Sequence, residues 1–249
     1  MGRGLQEDGE GWWSANHLFA RVAPAERAAL FARLEPVELA AGTTLYRPGD
    51  PLTHVYFPSS GMISLIAETA EGRSTEAATI GREGAVGMSA SGYVDAAFAR
   101  CAVRIPGSAF RTAAADFEDM IDMSPELCSA VARWREVMLR MTLQLVACNA
   151  LHNVRQRCAR CVLTTRDRFE ADVVPLTQEL LADMLGVKRN AISVVAREFQ
   201  NAGMIEYRRG RIAVRDGTRL RGEACECYEL IRRETDKLVS DPLSPECVD

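Results

Sequence analysis

The chain has 249 residues, 47% of them hydrophobic, which is enough for two modest domains with packed cores. No apolar run reaches the roughly 18 residues of a membrane span, which excludes an integral helical membrane protein. The polar start, MGRGLQEDGEGWW, has no apolar signal core, so a cytoplasmic protein with a disordered tail over residues 1–15 is expected.

The formal net charge is −4, which argues against a nucleic-acid partner until its distribution is considered. Residues 153–220 hold 13 Lys and Arg against 8 Asp and Glu, a local charge of +5, leaving −9 for the remainder. Any contact with nucleic acid therefore belongs to this basic segment.

Residues 16–40 carry a short helical pattern, with Leu30, Phe31 and Leu34 on one face and Pro24 at a helix start. From Ala41 to about Thr112 short β-leaning runs alternate with turn residues, among them Gly42, Pro48-Gly49-Asp50, Gly61, Gly72 and Pro106-Gly107. Such spacing predicts a small roll or barrel, taken here as an effector domain over residues 16–122. Asp116, Glu118, Asp119 and Asp122 read as a solvated acidic linker.

Ser124 and Pro125 then form a good helix start, and neither Pro nor Gly recurs before Pro175. Leu127, Val131, Trp134, Met138, Met141, Leu145, Cys148 and His152 follow alternating spacings of four and three. That narrow seam predicts a dimerisation helix over residues 123–152, the alternative being a helix packed on its own domain. Residues 155–168 read as a separate helix after a bend.

A helix-turn-helix is predicted between Gln178 and Arg197. Thr177 caps the first helix, and Ala182 is small where the second must cross closely. Gly186 allows a left-handed turn, and Leu181, Leu185, Val187, Ile192 and Val195 fall where the two helices must meet. Pointing Ile192, Val195 and Phe199 inward leaves Arg189, Asn190, Ser193 and Arg197 outward. Arg bonds guanine and Asn bonds adenine through paired hydrogen bonds, while Ser193 suits either a base or a phosphate. Lys188 and Arg197 suit phosphates, which position without specifying.

Two β-leaning runs, 204–207 and 211–214, flank an Arg208-Arg209-Gly210 turn. With Arg211 this makes a basic hairpin tip suited to the DNA backbone, the other reading being a solvated turn. The winged unit is placed at residues 153–217, and a terminal helix with an acidic tail at 218–249.

The order of roll, long helix and winged helix-turn-helix resembles the Crp/Fnr family of bacterial transcription regulators. The likeness rests on Leu176-Thr177-Gln178-Glu179 through Arg208-Arg209-Gly210-Arg211-Ile212, and on Gly42, Gly49, Gly61 and Ile80-Gly81-Arg82-Glu83-Gly84 in the roll. It implies an α+β fold, a homodimer, double-stranded DNA as partner, half-sites about 34 Å apart, and RNA polymerase as a further partner. The interface would then run through Leu127, Val131, Trp134, Met138, Met141, Leu145 and Cys148.

One departure stands out. Cyclic-nucleotide binders of this family carry a Gly-Glu step and a later Arg-Ser/Thr pair; here these positions read Gly84-Ala85 and, within a residue, Arg100-Cys101. Without the ribose-binding carboxylate, tight binding of cyclic AMP is not expected, and the effector remains unassigned. No cysteine precedes Cys101, so the N-terminal iron–sulfur cluster of the oxygen-sensing branch is not expected either.

The eight cysteines are Cys101, Cys128, Cys148, Cys158, Cys161, Cys225, Cys227 and Cys247, too dilute for a disulfide scaffold. Cys158-Ala159-Arg160-Cys161 is half a metal motif but also ordinary helix-core spacing, and no metal or cofactor is assigned. The sharper alternative is a thiol switch at Cys158 or Cys225. His17, His54 and His152 lie far apart in sequence. A sequence-specific DNA-binding regulator, not an enzyme, is the reading these features favour; the alternative is an effector- or redox-sensing regulator acting through protein partners.

Overall fold

The computed structural model describes residues 12–20, 22–72, 74–88 and 96–240. Most of the expected tail, and Cys247, lie outside them; residues 12–15, assigned to that tail, form a helical turn, α1 (Trp12–Ala15). It is followed by α2 (Pro24–Phe31), which starts at Pro24, and by β1 (Glu35–Leu39), β2 (Thr44–Tyr46), β3 (His54–Pro58), β4 (Met62–Glu68) and β5 (Ser74–Ile80). After β6 (Arg100–Ile105) and β7 (Gly107–Ala113) come α3 (Ala114–Met123) and the long α4 (Pro125–Leu151).

The strands form two sheets, ordered β1-β7-β3 and β2-β6-β4-β5. Antiparallel pairing sets Val37 opposite Ala109 and Val55 opposite Thr112. Along β3 the burial alternates, Val55 and Phe57 inward and Tyr56 outward, as a sheet with one covered face requires. Phe57 packs against Phe19 and Phe117 with tilted rings, their centroids 4.7 and 5.9 Å away. Residues 116–122 are not a linker but part of α3, which buries Phe117 and Met120. Its Asp116 and Asp119 pair with Arg33 at 3.4 and 2.9 Å.

Ser124 caps α4 as expected, its hydroxyl accepting from the Leu127 amide at 3.3 Å. The predicted bend falls where α4 ends, and there Asn153 starts α5 (Val154–Phe169) with a capping box. Asn153 accepts from the Gln156 amide at 3.0 Å, and Gln156 accepts from the Asn153 amide at 3.2 Å.

Next come β8 (Val173–Val174), α6 (Gln178–Leu185), α7 (Arg189–Asn201), β9 (Ile205–Arg208) and β10 (Arg211–Val214), the strands ordered β8-β10-β9. β8 adds a third strand to the expected hairpin. The single terminal helix expected over residues 218–239 is two, α8 (Gly217–Glu223) and α9 (Cys227–Ser240), because Ala224 turns to extended backbone between them. Among the described residues no helix is long and apolar enough to cross a membrane.

By internal contact the chain divides into two units, and residues 64–79 of the β4–β5 hairpin group with residues 139–234 rather than with the rest of the roll. Within that second unit Arg168 donates to the Thr79 carbonyl at 2.7 Å.

Candidate DNA-binding interface

The α6–turn–α7 segment is built as its residues predict. Thr177 accepts from the Leu180 amide at 3.0 Å, and Gly186 closes α6 in the left-handed region at φ 62°, where a side chain would be strained. Leu181, Leu185, Ile192, Val195 and Phe199 are buried, so the two helices meet through the anticipated apolar faces. Below them Arg157 donates to the Leu185 carbonyl at 2.6 Å. Arg155 lies 4.7 Å over the Phe199 ring and pairs with Glu198 and, at 2.7 Å, with Glu223.

This core leaves Lys188, Arg189, Asn190 and Arg197 exposed. Ser193 is placed differently: it donates to Gln178 Oε1 at 2.6 Å and lies 3.1 Å from the Arg189 carbonyl oxygen, so it fastens α7 to α6. Val194, which inspection of polar residues passes over, is 56% exposed and continues the outward stripe of Asn190 and Arg197 at offsets of four and seven. An exposed valine on a helix otherwise so well packed was the available signal.

The hairpin tip turns through Arg209 and Gly210, both at positive φ, 48° and 76°, the turn that suits the twist of short hairpins. Gly210 sits against the Thr177 cap, and Gln200 of α7 accepts from the Tyr207 amide at 3.1 Å. Carboxylates near the basic surface are already paired: Glu198 with Arg155, and Glu206 with Arg215 and, at 3.6 Å, with Arg208. Arg189 faces Glu179 at 3.5 Å, a pair exposed on both sides and therefore weak. Among the described residues no carboxylate pairs with Lys188, Arg197, Arg209 or Arg211, which leaves a surface ready to meet phosphate.

In the roll, the four residues expected to line an effector pocket are mostly covered. Ala85 and Cys101 are buried, and burial pushes the Cys101 thiol up to about 12. The indole of Trp134 lies on Gly84 and donates to the Ala85 carbonyl at 3.0 Å. Arg100 is half-buried at the start of β6.

The seam expected to face a second copy is taken up inside the chain. Leu127, Val131, Trp134, Met141, Leu145 and Cys148 are all buried, and Met138 is half-buried. A spacing of four and three marks a buried stripe whatever covers it, and here the chain's own side chains do. The large apolar residues that α4 leaves in solvent are Leu139, Leu143, Val146 and Leu151.

Cys158 and Cys161 are core residues of α5, their thiols pushed by burial up to about 12. Such thiols stay protonated and are poor nucleophiles, which argues against Cys158 as a switch.

A roll joined by a long helix to a winged helix-turn-helix defines a DNA-binding regulator with a β-rich N-terminal domain. The family models agree: a cyclic nucleotide-binding domain matches residues 36–124 and a Crp-like helix-turn-helix domain matches residues 156–223. The chain is 24% identical, over 82% of its length and 94% of the relative's, to the CRP-like cAMP-activated global transcriptional regulator of Mycobacterium tuberculosis. Its fold resembles that of FixK2 from Bradyrhizobium japonicum (TM-score 0.68, 15% identity, 77% of this chain and 98% of that one). It also resembles the c-di-GMP responsive global regulator CLP of Xanthomonas campestris (TM-score 0.61, 20% identity, 76% of this chain and 98% of that one). The chain belongs to the Crp/Fnr family of transcription regulators: a non-enzymatic, DNA-binding protein with a cyclic-nucleotide-binding-type domain and a Crp-like helix-turn-helix.

Proposed function

We propose that this chain regulates transcription in the cytoplasm as a homodimer that reads a two-fold symmetric duplex site without cyclic AMP. The observation that carries the reading is the solvent face of α7. There Arg189, Asn190, Val194 and Arg197 stand free of the core, Glu198 and Glu206 are engaged elsewhere, and Glu179 makes only a weak exposed pair with Arg189. Arg189 and Asn190 read base edges, Val194 meets a thymine methyl, and Lys188, Arg197, Arg208, Arg209 and Arg211 hold phosphates. Ser193 supports the reading helix from behind.

The dimer seam runs along Leu139, Leu143 and Val146, whose four-then-three spacing matches the a/d repeat and which the chain itself leaves uncovered. RNA polymerase is the partner through which binding at a promoter acts.

Independence from cyclic AMP rests on the missing carboxylate at Ala85 and on Trp134, whose ring occupies the surface of Gly84 and whose N–H takes the Ala85 carbonyl. The named effectors of the two relatives, cAMP and c-di-GMP, differ from each other, so likeness of fold does not assign one here.

Selection of binding sites from random duplex DNA by the purified ligand-free protein tests the reading. An enriched inverted repeat is expected, with affinity falling steeply as salt rises. Failure to enrich any sequence, or enrichment only after cyclic AMP is added, overturns it.

A further inference from the structure

The last turn of α4 and the connection between α8 and α9 bring together four side chains that the sequence keeps apart. Cys148 and His152 lie one helical turn apart at the end of α4; Cys225 and Cys227 flank Glu226 where α8 gives way to α9. Their ligand atoms all lie within 4.8 Å of one another. The Cys148 and Cys225 sulfurs are 3.5 Å apart, and the Cys227 sulfur is 3.6 Å from His152 Nδ1. We propose that Cys148, His152, Cys225 and Cys227 form a tetrahedral site for one zinc ion.

The spacing selects the metal. Zinc–sulfur bonds of about 2.3 Å and zinc–nitrogen bonds of about 2.0 Å place the ligand atoms of a tetrahedron roughly 3.5–3.8 Å apart, close to the distances seen here. The thiolates of a four-iron cluster stand farther apart, because the cluster lies between them. A set of three thiolates and one imidazole is soft, which favours zinc over magnesium or calcium.

The surroundings are those of a ligand site. His152 presents Nδ1 to the sulfurs while Nε2 lies 3.2 Å from a Glu226 carboxylate oxygen, the outer partner that fixes an imidazole in its ligating tautomer. Gln144 donates to the Cys227 sulfur at 3.0 Å. All three cysteines are buried residues. Three thiolates and a divalent cation carry one net negative charge, and the buried Arg160 guanidinium is attracted electrostatically to both Cys148 and Cys225. The Nε atoms of Arg157 and Arg160 are buried with no hydrogen-bond acceptor, an arrangement that an anionic centre nearby makes less costly. Zinc here fastens the α4–α5 bend to the start of α9, within the unit that carries the DNA-reading helices.

The test is a titration of the reduced, chelator-stripped full-length protein with cobalt(II), followed by zinc. The expected result is one cobalt per chain with intense tetrahedral ligand-field bands and thiolate-to-cobalt charge transfer, all abolished when zinc displaces it. Cys225→Ser abolishes the spectrum, Cys101→Ser leaves it intact, and Glu226→Gln weakens zinc binding about 10–100-fold. Should a serine variant not fold, alkylation of the wild-type chain decides: zinc shields Cys148, Cys225 and Cys227 in peptide maps while Cys128 reacts as before. An octahedral or absent cobalt spectrum, no shielding by zinc, or an iron–sulfur chromophore in anaerobically purified protein overturns the assignment.

Discussion

Replacing Gly84 by alanine tests the packing that closes the roll. A Cβ at this position falls 2.2 Å from two atoms of the Trp134 ring and 2.5 Å from a third. Carbon contacts prefer about 3.5–4.0 Å, so the ring has to retreat by more than about 1 Å. Trp134 is 1% exposed and so enclosed by the chain's own atoms. Overpacking of this kind costs about 1–3 kcal/mol. A ring displaced that far also loses its bond to the Ala85 carbonyl, and a buried indole N–H left unmatched costs about 1–3 kcal/mol more. The expected loss for Gly84→Ala is therefore about 2–6 kcal/mol, read by urea denaturation followed by circular dichroism. In a Trp134→Leu background the same substitution should cost under about 1 kcal/mol, because the ring it collides with is gone. A wild-type background that tolerates Gly84→Ala, or an equal loss in both backgrounds, refutes the account.

Arg209→Ala and Arg211→Ala should each weaken DNA binding almost equally across sequences and reduce the slope of log affinity against log salt by about 1, measured by fluorescence anisotropy at several salt concentrations. Asn190→Ala should cost about 1–3 kcal/mol on the selected site and relax preference at one base pair; Val194→Ala should lose discrimination for thymine over uracil at one position, read with uracil-substituted duplexes. Leu143→Glu should convert a dimer to a monomer in sedimentation without altering the circular dichroism spectrum, since Leu143 is exposed in the single chain. In the folded protein Cys158 and Cys161 should resist alkylation near neutral pH, because burial holds both thiols near 12 and little thiolate forms.

What could be read from the sequence was what neighbours along the chain decide. The helix-turn-helix is specified by Thr177, Ala182 and Gly186 within ten residues, and the structure uses each as its chemistry dictates. The bend before α5 was likewise local, a capping box of Asn153 and Gln156. Contacts made at long range were not legible. Spacing alone shows that Trp134 and Leu145 lie on a buried stripe but not whether a second copy or the same chain covers it. Ser193 looked like a reading residue because its partner, Gln178, sits on the preceding helix. Cys148 and Cys225 meet across 77 residues, a pairing no local pattern encodes. The split between α8 and α9 is not legible in the sequence because Ala224 is a strong helix former yet stands in extended backbone there.

The indole of Trp134 can also be viewed as a ligand that the chain supplies to itself. Trp134→Ala would leave an apolar hollow beside Gly84, with the Ala85 carbonyl still aimed into it. Free indole has the shape and the single N–H donor to refill that hollow, as small aromatics enter dry engineered cavities. By mass action it would raise the melting temperature of the truncated protein with the logarithm of its concentration above the dissociation constant and leave the intact protein unmoved. A roll whose hollow is plugged by its own side chain is thus one substitution away from answering to an outside molecule.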